Sequence, residues 1–155
     1  MATITRNSTQ KINASPEKIW KILSEDFLEI SKWADSVRSS VANPKTPNGF
    51  NDSPHGGRVC EVDGFGTTDE RVSIYDKKNM NIAYTLTSTK MPFFVNIMGA
   101  DWIVVKVSDG KSSVTFKVSA ETKGIVGTIM KLPLGRMLSR SAPGLLGDLK
   151  KYSEK

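Results

Sequence analysis

The hydrophobic period of this chain changes near Gly124, and that change limits what it can fold into more than any other feature. Upstream, five short runs at residues 58–63, 67–75, 81–88, 102–108 and 113–121 alternate apolar with polar side chains, the pattern of strands with one buried face. Asp76-Lys77-Lys78-Asn79 and Asp109-Gly110 are turn formers between successive runs, so the strands are expected to pair as an antiparallel meander. Downstream, Leu134, Leu138, Ser141, Leu145, Leu149 and Tyr152 recur at steps of three and four. This spacing predicts one long amphipathic helix whose stripe packs on the sheet. Pro143 lies inside the stripe and has no N–H for the Ser139 carbonyl, which predicts a kink; Pro133 predicts a break between a short leading helix and the main one.

The first half supplies the remaining elements. Residues 3–13 alternate, with Ile4 and Ile12 on one parity, and end at Ala14-Ser15-Pro16-Glu17. A strand followed by a helix start is expected there: Ser15 caps, Pro16 suits the first helical position and Glu17 meets the positive end of the dipole. Ile19, Trp20, Leu23 and Phe27 keep helical spacing, with a break and resumption at residues 26–32. Between residues 33 and 57 the prolines Pro44, Pro47 and Pro54 and the pair Asn48-Gly49 predict a loop, interrupted by one strand at 37–41. The whole reads as one α+β domain over residues 1–155, with two short helices after strand 1 and a curved antiparallel sheet wrapped around a long C-terminal helix. A straight helix cannot fill the concavity of such a sheet, so a gap is expected, lined by apolar side chains and a few polar groups.

Composition narrows the chemistry. Cys60 is the only cysteine and His55 the only histidine of 155 residues, which leaves no internal disulfide, no thiol or histidine metal cluster and little for a catalytic triad. His55, within Ser53-Pro54-His55-Gly56-Gly57, is expected in an exposed loop, and Cys60 on a semi-buried strand position. Gly64 with Gly66 and Gly124 with Gly127 are isolated pairs without the rest of a dinucleotide fingerprint. No cofactor or metal is implied. The net charge is +6, yet the cations are scattered, which argues against nucleic acid as a partner. The densest basic stretch, Lys131, Arg136, Arg140, Lys150 and Lys151, lies on the terminal helix, where it suits transient contact with an anionic membrane surface or forms a solvated face. The polar N-terminus lacks a secretory h-region, so a cytoplasmic location is expected.

Three segments carry a resemblance to a known family: Ala14-Ser15-Pro16-Glu17-Lys18-Ile19-Trp20 with Trp33 downstream, Glu70-Arg71-Val72-Ser73-Ile74-Tyr75-Asp76 leading to Tyr84, and Ala142-Pro143-Gly144-Leu145-Leu146-Gly147-Asp148-Leu149-Lys150-Lys151-Tyr152. In this order and spacing the chain resembles the START-related, or SRPBCC, superfamily, which includes polyketide cyclase-like proteins, the birch pollen allergen and the plant abscisic acid receptors. The resemblance implies a helix-grip fold with a ligand cavity between the sheet and the terminal helix. It implies that Glu70 points into that cavity, that Tyr84 and Leu86 line it, and that Arg38 lies near a position that meets a ligand carboxylate. Asp63-Gly64-Phe65-Gly66 occupies the place of the receptors' gate loop but lacks the gate sequence, which argues against hormone reception.

Parity gives an independent view of Glu70. Val72 and Ile74 share its parity in the run 67–75, which places a carboxylate on an apolar face. Burial there would raise its pKa unless it is paired, and Arg38 is the expected partner. A protonated Glu70 would serve as a proton donor, with Tyr84 as the other catalytic candidate; a paired one would orient a polar ligand head. Phe65, Phe93, Phe116, Met137 and Ser141 are further cavity candidates, although aromatic and methionine side chains also serve as ordinary core. Three readings follow: a carrier or sensor of a lipid-like, isoprenoid or polyketide-like molecule, a cyclase or dehydratase using the same cavity, and an interaction domain whose cavity is filled.

Overall fold

The computed structural model describes residues 2–155. Seven strands form one antiparallel sheet: β1 (Ala2–Ile12), β2 (Val37–Ala42), β3 (Gly57–Val62), β4 (Gly66–Asp76), β5 (Asn81–Ser88), β6 (Val95–Ser108) and β7 (Lys111–Thr122). Their order is β1-β7-β6-β5-β4-β3-β2, so β2 to β7 make a meander and β1 adds to its far side. Helix α1 (Pro16–Leu23) and a 3-10 helix (Phe27–Lys32) follow β1; α2 (Gly124–Ile129) and α3 (Lys131–Ser153) follow β7. The sheet curves around α3, which packs chiefly on β1 and then β7.

Local chemistry explains the element ends. Ser15 Oγ accepts from Lys18 N at 3.2 Å, and Pro16 opens α1 where its missing N–H costs nothing. The α2/α3 division falls at Met130 rather than at Pro133, which instead occupies the first turn of α3, where no intrahelical donor is needed. Pro143 lies within a helix that runs unbroken from Lys131 to Ser153.

Two strands depart from the sequence reading. β6 begins at Val95, seven residues before Trp102, because Met98, Gly99 and Ala100 pair with β5 on one side and β7 on the other despite weak strand propensity. In β4 the register against β5 shifts between Val72 and Ile74. This bulge returns Ile74 to solvent, so Ile74 does not share the Glu70 face.

Below the concave face, Trp102 stacks on Phe116 with centroids 4.0 Å apart and meets the edge of Trp33. From α3 this core receives Leu134, Leu138, Ala142, Leu146 and Leu149. The buried stripe therefore runs one residue beyond Ser141 and Leu145, which turn toward an opening instead.

Candidate functional site

A cavity of about 520 Å3 lies between the concave sheet and α3. Its sheet wall is apolar: Leu86 from β5, Met98 and Ala100 from β6, Phe116 and Val118 from β7. α3 supplies Met137, Leu138, Ser141 and Leu145. Charged side chains mark the rim, with Asp35, Asp63, Arg140 and Asp148 in the lining and all but Asp148 exposed. The Asp35 N–H donates to Asp148 Oδ2 at 3.0 Å, which ties α3 to the segment after the 3-10 helix.

A buried ion pair faces this apolar space. Arg58 on β3 stands directly opposite Glu70 on β4, and Arg58 Nε donates to Glu70 Oε2 at 2.6 Å with the side chains only 4% and 8% exposed. Thr68 Oγ1 donates to the other carboxylate oxygen at 3.2 Å. Arg58 Nη1 donates to the Phe27 carbonyl at 2.6 Å, and the guanidinium lies 4.0 Å from the Phe27 ring centroid and 4.9 Å from that of Tyr84. Its Nη2 donates to no side chain or carbonyl among the described residues. Burial works against the Arg58 charge, but Glu70 and its neighbours outweigh that and hold the guanidinium above its ordinary pKa.

Tyr84 closes the inner end. Its hydroxyl accepts from Trp102 Nε1 at 3.2 Å, and its pKa is pushed up to about 12, by burial first, with Glu70 adding to the rise and Arg58 opposing it. Behind Arg58 and Tyr84 lies a second space of about 10 Å3, walled also by Phe27, Ile30, Trp33 and Trp102. Trp33 Nε1, which is buried, has no acceptor among the described residues.

Phe65, Glu70, Tyr84, Leu86, Phe116, Met137 and Ser141 come together in the lining of the large cavity. Two expected residues do not. Phe93 projects from the loop before β6 into solvent. Arg38 is exposed and pairs with Asp63 through Nε, at 2.8 Å from Oδ1, and Nη2, at 2.7 Å from Oδ2. Arg38 is therefore not the partner of Glu70; Arg58 is, because the β3–β4 register sets it across from the carboxylate. Arg58 was absent from the sequence reading, yet a hairpin centred on Gly64 pairs residue 58 with residue 70 by arithmetic alone. His55 is half-buried rather than exposed: its ring stacks on Phe27 at 6.3 Å and Nε2 lies 3.1 Å from the Glu25 carbonyl oxygen. Cys60 is fully buried, and burial pushes its thiol pKa up, with Glu70 adding to the rise.

A long terminal helix gripped by a curved antiparallel sheet, with an apolar cavity between them, defines the helix-grip class. The profile of the family described as polyketide cyclase / dehydrase and lipid transport matches residues 3–154, and the chain belongs to that family. Solved structures agree on the fold. Ara h 8.0201 superposes with a TM-score of 0.73 at 14% identity, covering 98% of each chain. The Zhui aromatase/cyclase from Streptomyces sp. R1128 gives 0.74 at 17% identity, over 99% of this chain and 94% of that one. A START superfamily protein from Mycobacterium smegmatis gives 0.66 at 18% identity, over 96% and 98%. Among curated proteins, none matches the chain in sequence.

Proposed function

We propose that this protein binds a neutral, largely apolar small molecule in the cavity between sheet and α3, as a carrier or sensor. The observation that carries this reading is the Arg58–Glu70 pair set into an otherwise apolar wall. A volume of about 520 Å3 falls within the roughly 300–1,000 Å3 of pockets that hold drug-sized ligands. Burying roughly 300 Å2 of apolar ligand at about 25 cal/mol per Å2 gives a gross ~7 kcal/mol before ordering costs. The guanidinium charge is already met by Glu70, so a ligand carboxylate would add an unmatched negative charge next to Glu70 in a region of low dielectric. A carbonyl or hydroxyl accepting from Arg58 Nη2 would not. The cyclase or dehydratase alternative needs a group that exchanges protons near neutral pH. Tyr84 is held far above that range and Glu70 is engaged on both oxygens, so binding is the better-supported reading.

Native mass spectrometry of protein purified without detergent, followed by extraction of any adduct, tests this directly. A stoichiometric neutral adduct of low polarity is the expected result. A panel comparing a fatty alcohol with the fatty acid of the same chain length should raise the melting temperature more for the alcohol. A clean apo mass with no thermal shift from any apolar probe would sink the reading in favour of an interaction domain.

A further inference from the structure

Helix α2 is built inside out. It buries only Gly127, which packs so close to Thr122 that a Cβ would come within 2.9 Å of the Thr122 Cβ. Its apolar side chains stand in solvent instead, with Ile125 81% and Ile129 69% exposed and Val126 exposed beside them. A short helix serving only the stability of its domain turns its isoleucines inward and its glycine outward. Leu132, in the first turn of α3, continues the exposed apolar group. Phe93, 74% exposed, joins it from the loop before β6, because Lys123 N donates to the Phe94 carbonyl at 2.8 Å and holds that loop beside α2.

The segments that carry this group hold charge of one sign. Residues 123–140 carry Lys123, Lys131, Arg136 and Arg140 and no carboxylate, and the adjoining loop adds Lys90. Among the described residues none of these five cations has an acidic partner. The nearest acidic residue in sequence, Glu121, accepts from Asn96 Nδ2 at 2.9 Å. Exposed isoleucine, leucine and phenylalanine on segments that also carry these cations combine both components of interfacial anchoring to anionic lipid.

We infer that α2, the first turn of α3 and the Phe93 loop form a docking surface for an anionic lipid bilayer. The apolar side chains enter the boundary between headgroups and acyl chains, and the lysines and Arg136 meet the headgroups. Met137 and Arg140, exposed on the next turns of α3, also line the large cavity, so docking brings the cavity rim toward the membrane. The surface stands independently of what the cavity binds.

The test is flotation of the full chain with vesicles of phosphatidylcholine alone and of phosphatidylcholine mixed with phosphatidylglycerol. Binding is expected to the mixed vesicles only, and to weaken with added salt. The pair Ile125→Glu and Ile129→Glu should abolish it with an unchanged melting temperature, since neither side chain is packed. Lys123→Gln with Lys131→Gln should lower it by roughly a factor of five per charge removed. Absence of binding to the mixed vesicles would overturn the inference, as would equal binding by the isoleucine variants. A concentration-dependent dimer that the isoleucine variants dissolve, without vesicle binding, would also overturn it and assign the surface to a second copy of the chain.

Discussion

The Arg58–Glu70 pair sets the hardest constraint on any variant of the site. Both side chains are buried, and removing one partner of a buried pair strands the other charge, which costs about 3–5 kcal/mol. Glu70→Gln therefore tests structure before it tests function: its urea midpoint should fall sharply, and Arg58→Met should fall as far. The double variant Arg58→Met with Glu70→Leu should recover most of the loss, a coupling that a double-mutant cycle measures. A strictly additive cycle would show that the pair is not acting as a unit. Tyr84 gives a second expectation. With a folded pKa of about 12 against an ordinary value near 10, the unfolded chain loses the phenolic proton first as pH rises. Stability is thus retained below pH ~10 and lost between pH ~10 and ~12. Tyr84→Phe should flatten that alkaline slope while losing about 1 kcal/mol at neutral pH for the Trp102 N–H left without its acceptor. Chemical denaturation across that pH range separates the two effects.

At the scale of elements, the glycines of α3 do different jobs. A Cβ at Gly147 would meet nothing within 4 Å, and the residue sits in mid-helix. Gly147→Ala should therefore raise stability by about 0.5–1 kcal/mol through helix propensity alone, read as a shift in the urea midpoint with no change in slope. Gly135 instead admits Arg6 of β1, whose Nη2 lies 2.5 Å from where a Cβ would stand. What was legible in the sequence follows the same division between local and distant causes. Capping at Ser15, the hairpin turns and the terminal stripe are local signals, and each element they predicted is present. The Val72/Ile74 bulge, the early start of β6 at Val95 and the one-residue rotation of the stripe toward Ala142 and Leu146 are set by packing against neighbouring elements, and no local pattern carries them. The site divides similarly. The resemblance and the shared parity with buried Val72 both set Glu70 inward, but its partner depends on the hairpin register, and Arg38, the partner expected from the sequence, is drawn off by Asp63.

At the scale of the molecule, the fold keeps part of its concave face unpacked. Ala100 and Ala120 lie on adjacent antiparallel strands, both buried and both on that face. Ala100 lines the cavity; Ala120 is fully buried and absent from its lining. Extra methylenes at a close-packed position force strain of about 1–3 kcal/mol, whereas extra volume beside an open cavity meets room. Ala120→Leu should accordingly lower stability by that amount. Ala100→Leu should stay within about 1 kcal/mol of the parent, and it should weaken or abolish any native adduct by occupying ligand space. Paired urea denaturation and native mass spectrometry read both quantities on the same samples. If Ala100→Leu destabilised as much as Ala120→Leu, the space beside it would be closed in solution and the binding reading would lose its physical basis. If it were tolerated while the adduct persisted unchanged, the ligand would have to lie elsewhere along α3, toward the rim at Arg140 and Asp148.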